Sequence, residues 1–236
     1  MSKGKVLLGM SGGVDSSVAA ILLKEQGYEV VGATMKLWEA EENKTEEGCS
    51  SLSSVYDAKK ICDYLNITHY TFDFKKEFEK NVIQNFIESY KNGKTPNPCI
   101  ECNKHMKFDL FYQKAIEIGC EYIATGHYAK TEYSEKYKQY VLKKSETEGK
   151  DQSYVLYNIP KEIIGKILFP LGNFKTKEEI RKIAKKYNLQ TANKPDSQEI
   201  CFIPDNNYGK FLETRLNPNH CINCTEKMLT PRQNCR

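Results

Sequence analysis

The 236-residue chain sets 35 Lys and Arg against 31 Asp and Glu, a formal net charge of +4, with 39% hydrophobic and 28% charged residues. No apolar run approaches the ~20 residues of a spanning helix, which argues against a membrane protein, and so small a charge permits a polyanionic partner without demanding one. Nine cysteines, an odd number, follow a start that runs from Met1 to Lys5 directly into Val6-Leu7-Leu8 with no signal-peptide core, so a reducing cytoplasm and thiol or metal chemistry are expected rather than a disulfide framework.

In chain order the pattern predicts strand Val6–Met10, helix Ser16–Gln26, strand Val30–Lys36, helix Ser53–Leu65 and strand Thr68–Phe72. That alternation is the signature of a doubly wound α/β fold with a parallel sheet. Apolar spacing at Phe78, Val82 and Phe86 carries a further helix to about Tyr90, after which Asn92-Gly93 and Pro96-Asn97-Pro98 read as breakers and a rigid loop. A helix from about Lys104 to Gly119 leads to strand Tyr122–Thr125, read as completing the sheet with Gly126-His127-Tyr128 at its carboxyl end, where open α/β sheets bind ligands. From about Tyr133 the texture changes to β-type runs at Tyr140–Leu142 and Tyr154–Leu156. A charged helix, Lys177–Tyr187, follows, with Ile180, Ile183, Ala184 and Tyr187 as its apolar stripe and its lysines as a solvated face. The expected organisation is a nucleotide-binding domain over 1–130, a small α+β unit over 131–216 and an unassigned tail over 217–236.

The loop after the first strand, Gly9-Met10-Ser11-Gly12-Gly13-Val14-Asp15-Ser16, lacks the lysine of a Walker loop. It keeps two glycines that admit backbone N–H groups to an anion, hydroxyls that donate to it, and a helix N-terminus that favours negative charge. These are the parts of a pyrophosphate site. Asp15 would repel phosphates unless it orients Mg²⁺ or caps the helix, which suggests metal-assisted release of pyrophosphate. A glycine turn capped by a hydroxyl is the plainer alternative. The S-G-G-x-D-S pattern resembles the ATP pyrophosphatases, which cut ATP between its α- and β-phosphates and pass AMP to a substrate oxygen; it leaves the acceptor open.

Further stretches narrow the acceptor: TPNPCIECNKHMKFD (95–109), YIATGHYA (122–129), GKDQSYVLY (149–157), LFPLGNFKTKEEIRKIA (168–184) and KPDSQEICFIP (194–204). Together with the opening loop and Met35-Lys36-Leu37-Trp38 they resemble the tRNA-specific 2-thiouridylases (MnmA-type) over residues 5 to about 216. The resemblance implies ATP-dependent replacement of the C2 oxygen of the wobble uridine of tRNA by sulfur. It assigns ATP phosphates to Gly9–Ser16, adenosine to Met35 and Gly126, the target base to Asn97, Pro98 and Cys99, and tRNA contacts to His127, Lys150, Asp151 and Gln152. Cys102 matches the family's nucleophile and Cys201 its persulfide carrier, and a sulfur donor is implied as a partner.

Adenylating a uridine oxygen turns a poor leaving group into AMP, and two thiols then suffice, one carrying sulfane sulfur and one freeing it by reduction. Lys104 and Lys107 read either as groups that lower a thiol pKa or hold phosphate, or as plain surface. The chain departs from the family at Cys99, where an acidic residue is usual. Cys99, Cys102 and Cys201 together match the three-thiol set of an open-site [4Fe–4S] cluster, so a cluster route and a persulfide route both stand. Relatives usually continue past the position of Asn217 into a β-barrel that grips tRNA. Here PNHCINCTEKMLTPRQNCR follows, read as an inert tail or, with His220, Cys221, Cys224 and Cys235, as a zinc knuckle. A tRNA-binding remnant with little activity, and a ligase of the same ATP class acting on a small molecule, are the competing readings.

Overall fold

The computed structural model describes residues 2–38, 52–195, 200–203 and 205–216; Cys49 and the cysteines of the tail lie outside these residues. Strands β1 (Lys5–Gly9), β2 (Glu29–Lys36) and β3 (Thr68–Asp73) alternate with helices α1 (Val14–Glu25) and α2 (Leu52–Tyr64). Two long helices follow. Helix α3, residues 75–91, runs as Lys75–Phe78, a π-helical stretch Glu79–Ile83, and Gln84–Lys91. Helix α4, residues 98–117, runs as Pro98–Glu101, a π-helical stretch Cys102–Leu110, and Phe111–Glu117. β4 (Tyr122–Ala124) returns to the sheet, β5 (Ala129–Ser134) and β6 (Gln139–Lys144) form an antiparallel hairpin, and β7 (Ile167–Leu168), α5 (Lys177–Lys186) and α6 (Tyr208–Arg215) complete the described chain.

The main sheet has the order β3-β2-β1-β4-β7, every pairing parallel. Because side chains alternate along a strand, β1 sends Val6 and Leu8 into one core cluster and Leu7 into the other. Register then builds a row across four strands, Val31–Leu7–Ile123–Ile167, with all four side chains buried on one face. Each is worth ~1.5–3 kcal/mol buried rather than exposed, so a slip of one residue, which would turn any of them to the opposite face, is disfavoured. Helices cover both faces: α3 and α4 pack on the Leu7 side, α1, α2 and α5 on the Val6 and Leu8 side. The doubly wound α/β expectation holds, with a small second sheet beside it.

Three local readings are corrected. Strand 122–125 does not close the sheet, since the two-residue β7 pairs beyond it through Ile123–Ile167 and Ala124–Leu168. Residues 154–156 are not β: Ser153–Val155 is a 3₁₀ turn, with N–H groups of Val155 and Leu156 donating to the carbonyls of Gln152 and Ser153. The helix read from Lys104 begins at Pro98. Asn97 is its N-cap, accepting the Cys99 N–H at 3.1 Å on Oδ1, and Pro98 takes the first helical position, where a missing N–H loses nothing.

Candidate active site

The sheet order reverses between β1 and β4, and ligands of open α/β sheets lie outside the strands' carboxyl ends at such a point. The loop 9–16 leaves β1 there and Gly126 leaves β4 beside it. Two glycines are shaped by their neighbours. Gly12 has φ +70°, and a Cβ on it would stand 2.5 Å from the Ser54 carbonyl oxygen. A Cβ on Gly126 would stand 3.0 Å from Ser16 N and 3.1 Å from the Asp15 Cβ, so this glycine lets the β4 exit lie against the first turn of α1. Gly13 is the N-cap of α1 and caps it with no side chain, leaving the first N–H groups of the helix to an incoming anion.

The hydroxyls of the loop hold one another. Ser16 Oγ accepts the Ser11 N–H at 3.2 Å and lies 3.2 Å from Ser11 Oγ, and Ser17 Oγ donates to the Gly13 carbonyl at 2.7 Å. Met10 is core rather than rim: its side chain is buried, its N–H donates to Ala33 and its carbonyl accepts from Thr34 Oγ1. The Val14 side chain is likewise buried, so at both positions only the backbone is open to the loop. Met35 Cε would lie 3.8 Å from a Cβ on Gly9, which sets the Met35 side chain beside the start of the loop.

Asp15 is held by two groups that sequence reasoning missed. Lys177 Nζ donates to Oδ1 and Oδ2 at 2.5 and 2.6 Å, and Tyr128 Oη donates to Oδ1 at 2.6 Å. The lysine expected on a solvated helix face is instead 8% exposed. It opens α5 directly after the N-cap Thr176, whose capping box with Glu179 fixes the helix start. The signal was a lysine at the first helical position, where a cation is disfavoured by the helix dipole unless something compensates it. A second lysine, Lys194, donates to the Gly12 carbonyl at 3.2 Å and to Asp57 at 2.9 Å, while Arg181 holds the Lys194 and Ala192 carbonyls. Lys194 is thereby tied to the loop.

His127 follows Gly126 and is packed by Phe108 and Phe169, with ring centroids about 6 Å apart. Its Nδ1 lies 2.7 Å from Thr125 Oγ1 and its Nε2 3.4 Å from Lys107 Nζ. A lysine ammonium only donates, so Nε2 accepts and the proton sits on Nδ1, donating to Thr125. Burial, with the Lys107 charge beside it, holds the imidazole pKa well below its usual value and keeps the ring neutral. The 150–152 stretch is braced from within. Gln152 Oε1 accepts the Tyr128 N–H and the Gln152 N–H returns to the Tyr128 carbonyl, both at 2.9 Å. Asp151 accepts from Ser145 N and Ser153 Oγ; burial pushes its carboxyl up, but these bonds bring it below the ordinary value. Lys150 is exposed.

Cys102, in the π-helical stretch of α4, is buried in the core cluster that also contains Phe78 and Phe202, and Cys201 packs against the same cluster, half-buried. Phe202 anchors the Cys201 segment by ring contacts to Phe78, Phe86 and Phe211 at 5.4–5.7 Å. Cys99, on the first turn of α4, is exposed. Among the described residues no group of three or more Cys, His, Asp or Glu is placed to hold a metal. Of the three thiols named for a [4Fe–4S] cluster, Cys99 is exposed, Cys102 buried and Cys201 half-buried. Cys62 and Cys120 are core residues; burial pushes the Cys62 thiol up to about 12 and raises that of Cys120.

A parallel doubly wound sheet with a glycine- and hydroxyl-rich loop at its switch point, an aspartate at the helix start and no Walker lysine gives the chain an adenine nucleotide α-hydrolase-like fold. More narrowly, the chain belongs to the tRNA methyl transferase HUP domain family, whose profile matches residues 4–205. It is 58% identical over 214 residues to the tRNA-specific 2-thiouridylase MnmA of Caldicellulosiruptor saccharolyticus, covering 89% of this chain and 59% of that protein. To the protein of the same name from Clostridioides difficile it is 53% identical over 210 residues, covering 89% and 58%. The chain thus spans about three-fifths of the length of these curated relatives. Its fold is similar to that of a 4-thiouridine synthetase solved as an RNA complex with bound ATP, with a TM-score of 0.55 at 20% identity over 84% of this chain and 45% of that one. No helix among the described residues is long and apolar enough to cross a membrane.

Proposed function

We propose that the chain is an ATP-dependent tRNA-uridine 2-sulfurtransferase, a reading its relatives' names support. The observation that carries it is a phosphate loop clamped through Asp15 and Lys177, in a chain whose Cys102 and Cys201 pack against a single cluster. Loop 9–16 receives the ATP phosphates on the N-terminus of α1, with adenosine against Met35 and Gly126. Mg²⁺ would be bound by one or two carboxylates plus substrate phosphates rather than by a protein cage; Asp15 would be its protein ligand in place of Lys177 Nζ, which engages both oxygens here, and the ion would neutralise phosphate charge.

The uridine O2 attacks the α-phosphorus, the bond to the β-phosphate oxygen breaks, and pyrophosphate leaves. The terminal sulfur of a Cys201 persulfide then attacks C2 and AMP departs with the former O2. Attack by the Cys102 thiolate on Cys201 Sγ releases 2-thiouridine and leaves a Cys102–Cys201 disulfide, which an external dithiol reduces. An external persulfide donor reloads Cys201. Asn97, Pro98 and Cys99 receive the base, flipped from the anticodon loop, where extrusion is cheaper than from a duplex. His127, neutral, and Lys150 to Gln152 meet the tRNA, with residues 131–216 as the tRNA-contacting unit and 1–130 as the ATP domain.

The test is purified protein with Mg²⁺-ATP, a persulfide donor and unmodified tRNA, reading AMP and 2-thiouridine. Both products are expected from the wild type, with AMP but no 2-thiouridine from Cys201→Ser. AMP formation independent of tRNA would assign a small-molecule acceptor instead, and thiolation surviving loss of both Cys102 and Cys201 would remove the proposed sulfur route.

A further inference from the structure

Tyr154 and Tyr157 are the most exposed large hydrophobic side chains among the described residues, at 63% and 65%. Other exposed tyrosines are engaged: Tyr56 lies under Lys60, Tyr137 under Lys136, and Tyr64 donates to the Tyr187 carbonyl. Among the described residues no such contact holds either of these two rings. The 3₁₀ turn Ser153–Val155 and its C-cap Leu156 bury Val155 and Leu156 while leaving the tyrosines on either side of them outside.

The turn is fastened to the thiol helix. Asn103, adjacent to Cys102 and 1% exposed, donates Nδ2–H to the Val155 carbonyl at 3.0 Å. Val155 and Leu156 belong to the cluster that contains Cys102. Exposed Lys150 and Lys161 flank the pair in sequence, with exposed Glu148 and Glu162 one or two residues further along the chain, and the Asp151 carboxylate is occupied by Ser145 and Ser153.

From these observations we infer that Tyr154 and Tyr157 form a stacking platform for unpaired bases of the RNA substrate, held in register with Cys102 through Asn103. The inference rests on the tRNA reading above and adds the residues that hold bases neighbouring the target. Two aromatic faces beside lysines are the composition by which proteins hold single-stranded nucleic acid, rings taking bases and cations taking phosphates.

The test measures the affinity of the full chain for unmodified tRNA as a function of salt, for wild type, Tyr154→Ala, Tyr157→Ala, the double variant, both Tyr→Phe controls and Lys150→Ala. Stacking predicts about tenfold weaker binding for each alanine variant, affinity within about twofold of wild type for the phenylalanine variants, and a salt slope unchanged by any tyrosine substitution. Lys150→Ala should instead reduce the slope by about one ion. Thermal unfolding of each variant confirms the fold, which exposed side chains should not disturb. Alanine variants that bind as tightly as wild type would overturn the platform and leave the tRNA reading standing. A wild-type chain that does not bind tRNA would remove both.

Discussion

The two glycines of Gly12-Gly13 separate a structural demand from a chemical one, and substituting each by alanine tests the geometry of the loop. At Gly12 an alanine meets two penalties. Its φ of +70° lies in the left-handed region, which an L side chain occupies at a cost of about 1 kcal/mol. Its Cβ would also sit 2.5 Å from the Ser54 carbonyl oxygen and 3.2 Å from the Asp57 Cβ; the first contact is with backbone, so no rotamer relieves it. Overpacking of that kind costs ~1–3 kcal/mol, giving a total of about 2–4 kcal/mol. For a chain of this size that corresponds to a fall in Tm of about 5–15 °C. Gly13 differs, with φ −98° and ψ 170°, and its Cβ would meet only Ser11 Oγ at 3.4 Å. Gly13→Ala should therefore melt close to the wild-type temperature, the entropy gain of alanine offset by its poorer fit at an N-cap, while its methyl, at the proposed phosphate site, weakens ATP binding. Thermal unfolding without nucleotide, followed by ATP titration, reads both effects. A Gly12→Ala protein melting within 2 °C of wild type, or a Gly13→Ala protein losing as much as Gly12→Ala, would refute the argument from loop geometry.

Lys177→Met keeps the buried aliphatic stem and removes the charge opposite Asp15. With Asp15 29% exposed, solvent screens the pair, so the expected loss is about 1–2 kcal/mol in urea unfolding, accompanied by more than about tenfold slower pyrophosphate release; unaltered release would show that the clamp is structural only. His127 gives stability a pH dependence. Its folded pKa is depressed, so below the ordinary value of 6.5 the unfolded chain binds a proton that the folded one does not, and stability is lost as pH falls from about 7 downward. The lowered pKa of His69 adds a contribution of the same sign. Melting scans between pH 7.5 and 5 should show a decline that is shallower in His127→Gln, and equal slopes would discount the buried neutral imidazole.

What could be read from the residues was set by the range of the interaction. Strands β1 to β3 and helices α1 and α2 were legible to within two residues because period and turn chemistry are local. β7 was not: two residues carry no period, and their strand character comes from the β4 edge. Tyr154 to Leu156 looks extended by residue type, yet the Gln152 and Asn103 bonds curl it into a turn. The start of α4 was available in Asn97-Pro98, an N-cap followed by a first-turn proline, and was obscured by weighing proline only as a breaker.

The candidate site divides along the same line. The phosphate loop is contiguous, so its glycines, hydroxyls and aspartate announce themselves in eight residues. The partners of Asp15 come from Tyr128 and Lys177, and the lysine on the Gly12 carbonyl from Lys194. Only Lys177 carries a local signal, a cation at a helix start; nothing at Tyr128 or Lys194 distinguishes them locally from surface side chains. What places them is topology: once β4 lies beside β1 and α5 packs along α1, the exit of one strand and the first residue of one helix both arrive at the start of α1. Lys177 illustrates the physical rule. A lysine at a helix N-terminus opposes the dipole, so its burial there is stable only with a carboxylate to meet it, and Asp15 is that carboxylate. Each of these two charges would be unfavourable alone, Asp15 beside phosphate and Lys177 inside the protein. Their pairing compensates both and sets the Lys177 ammonium at the start of α1, beside the proposed phosphate site.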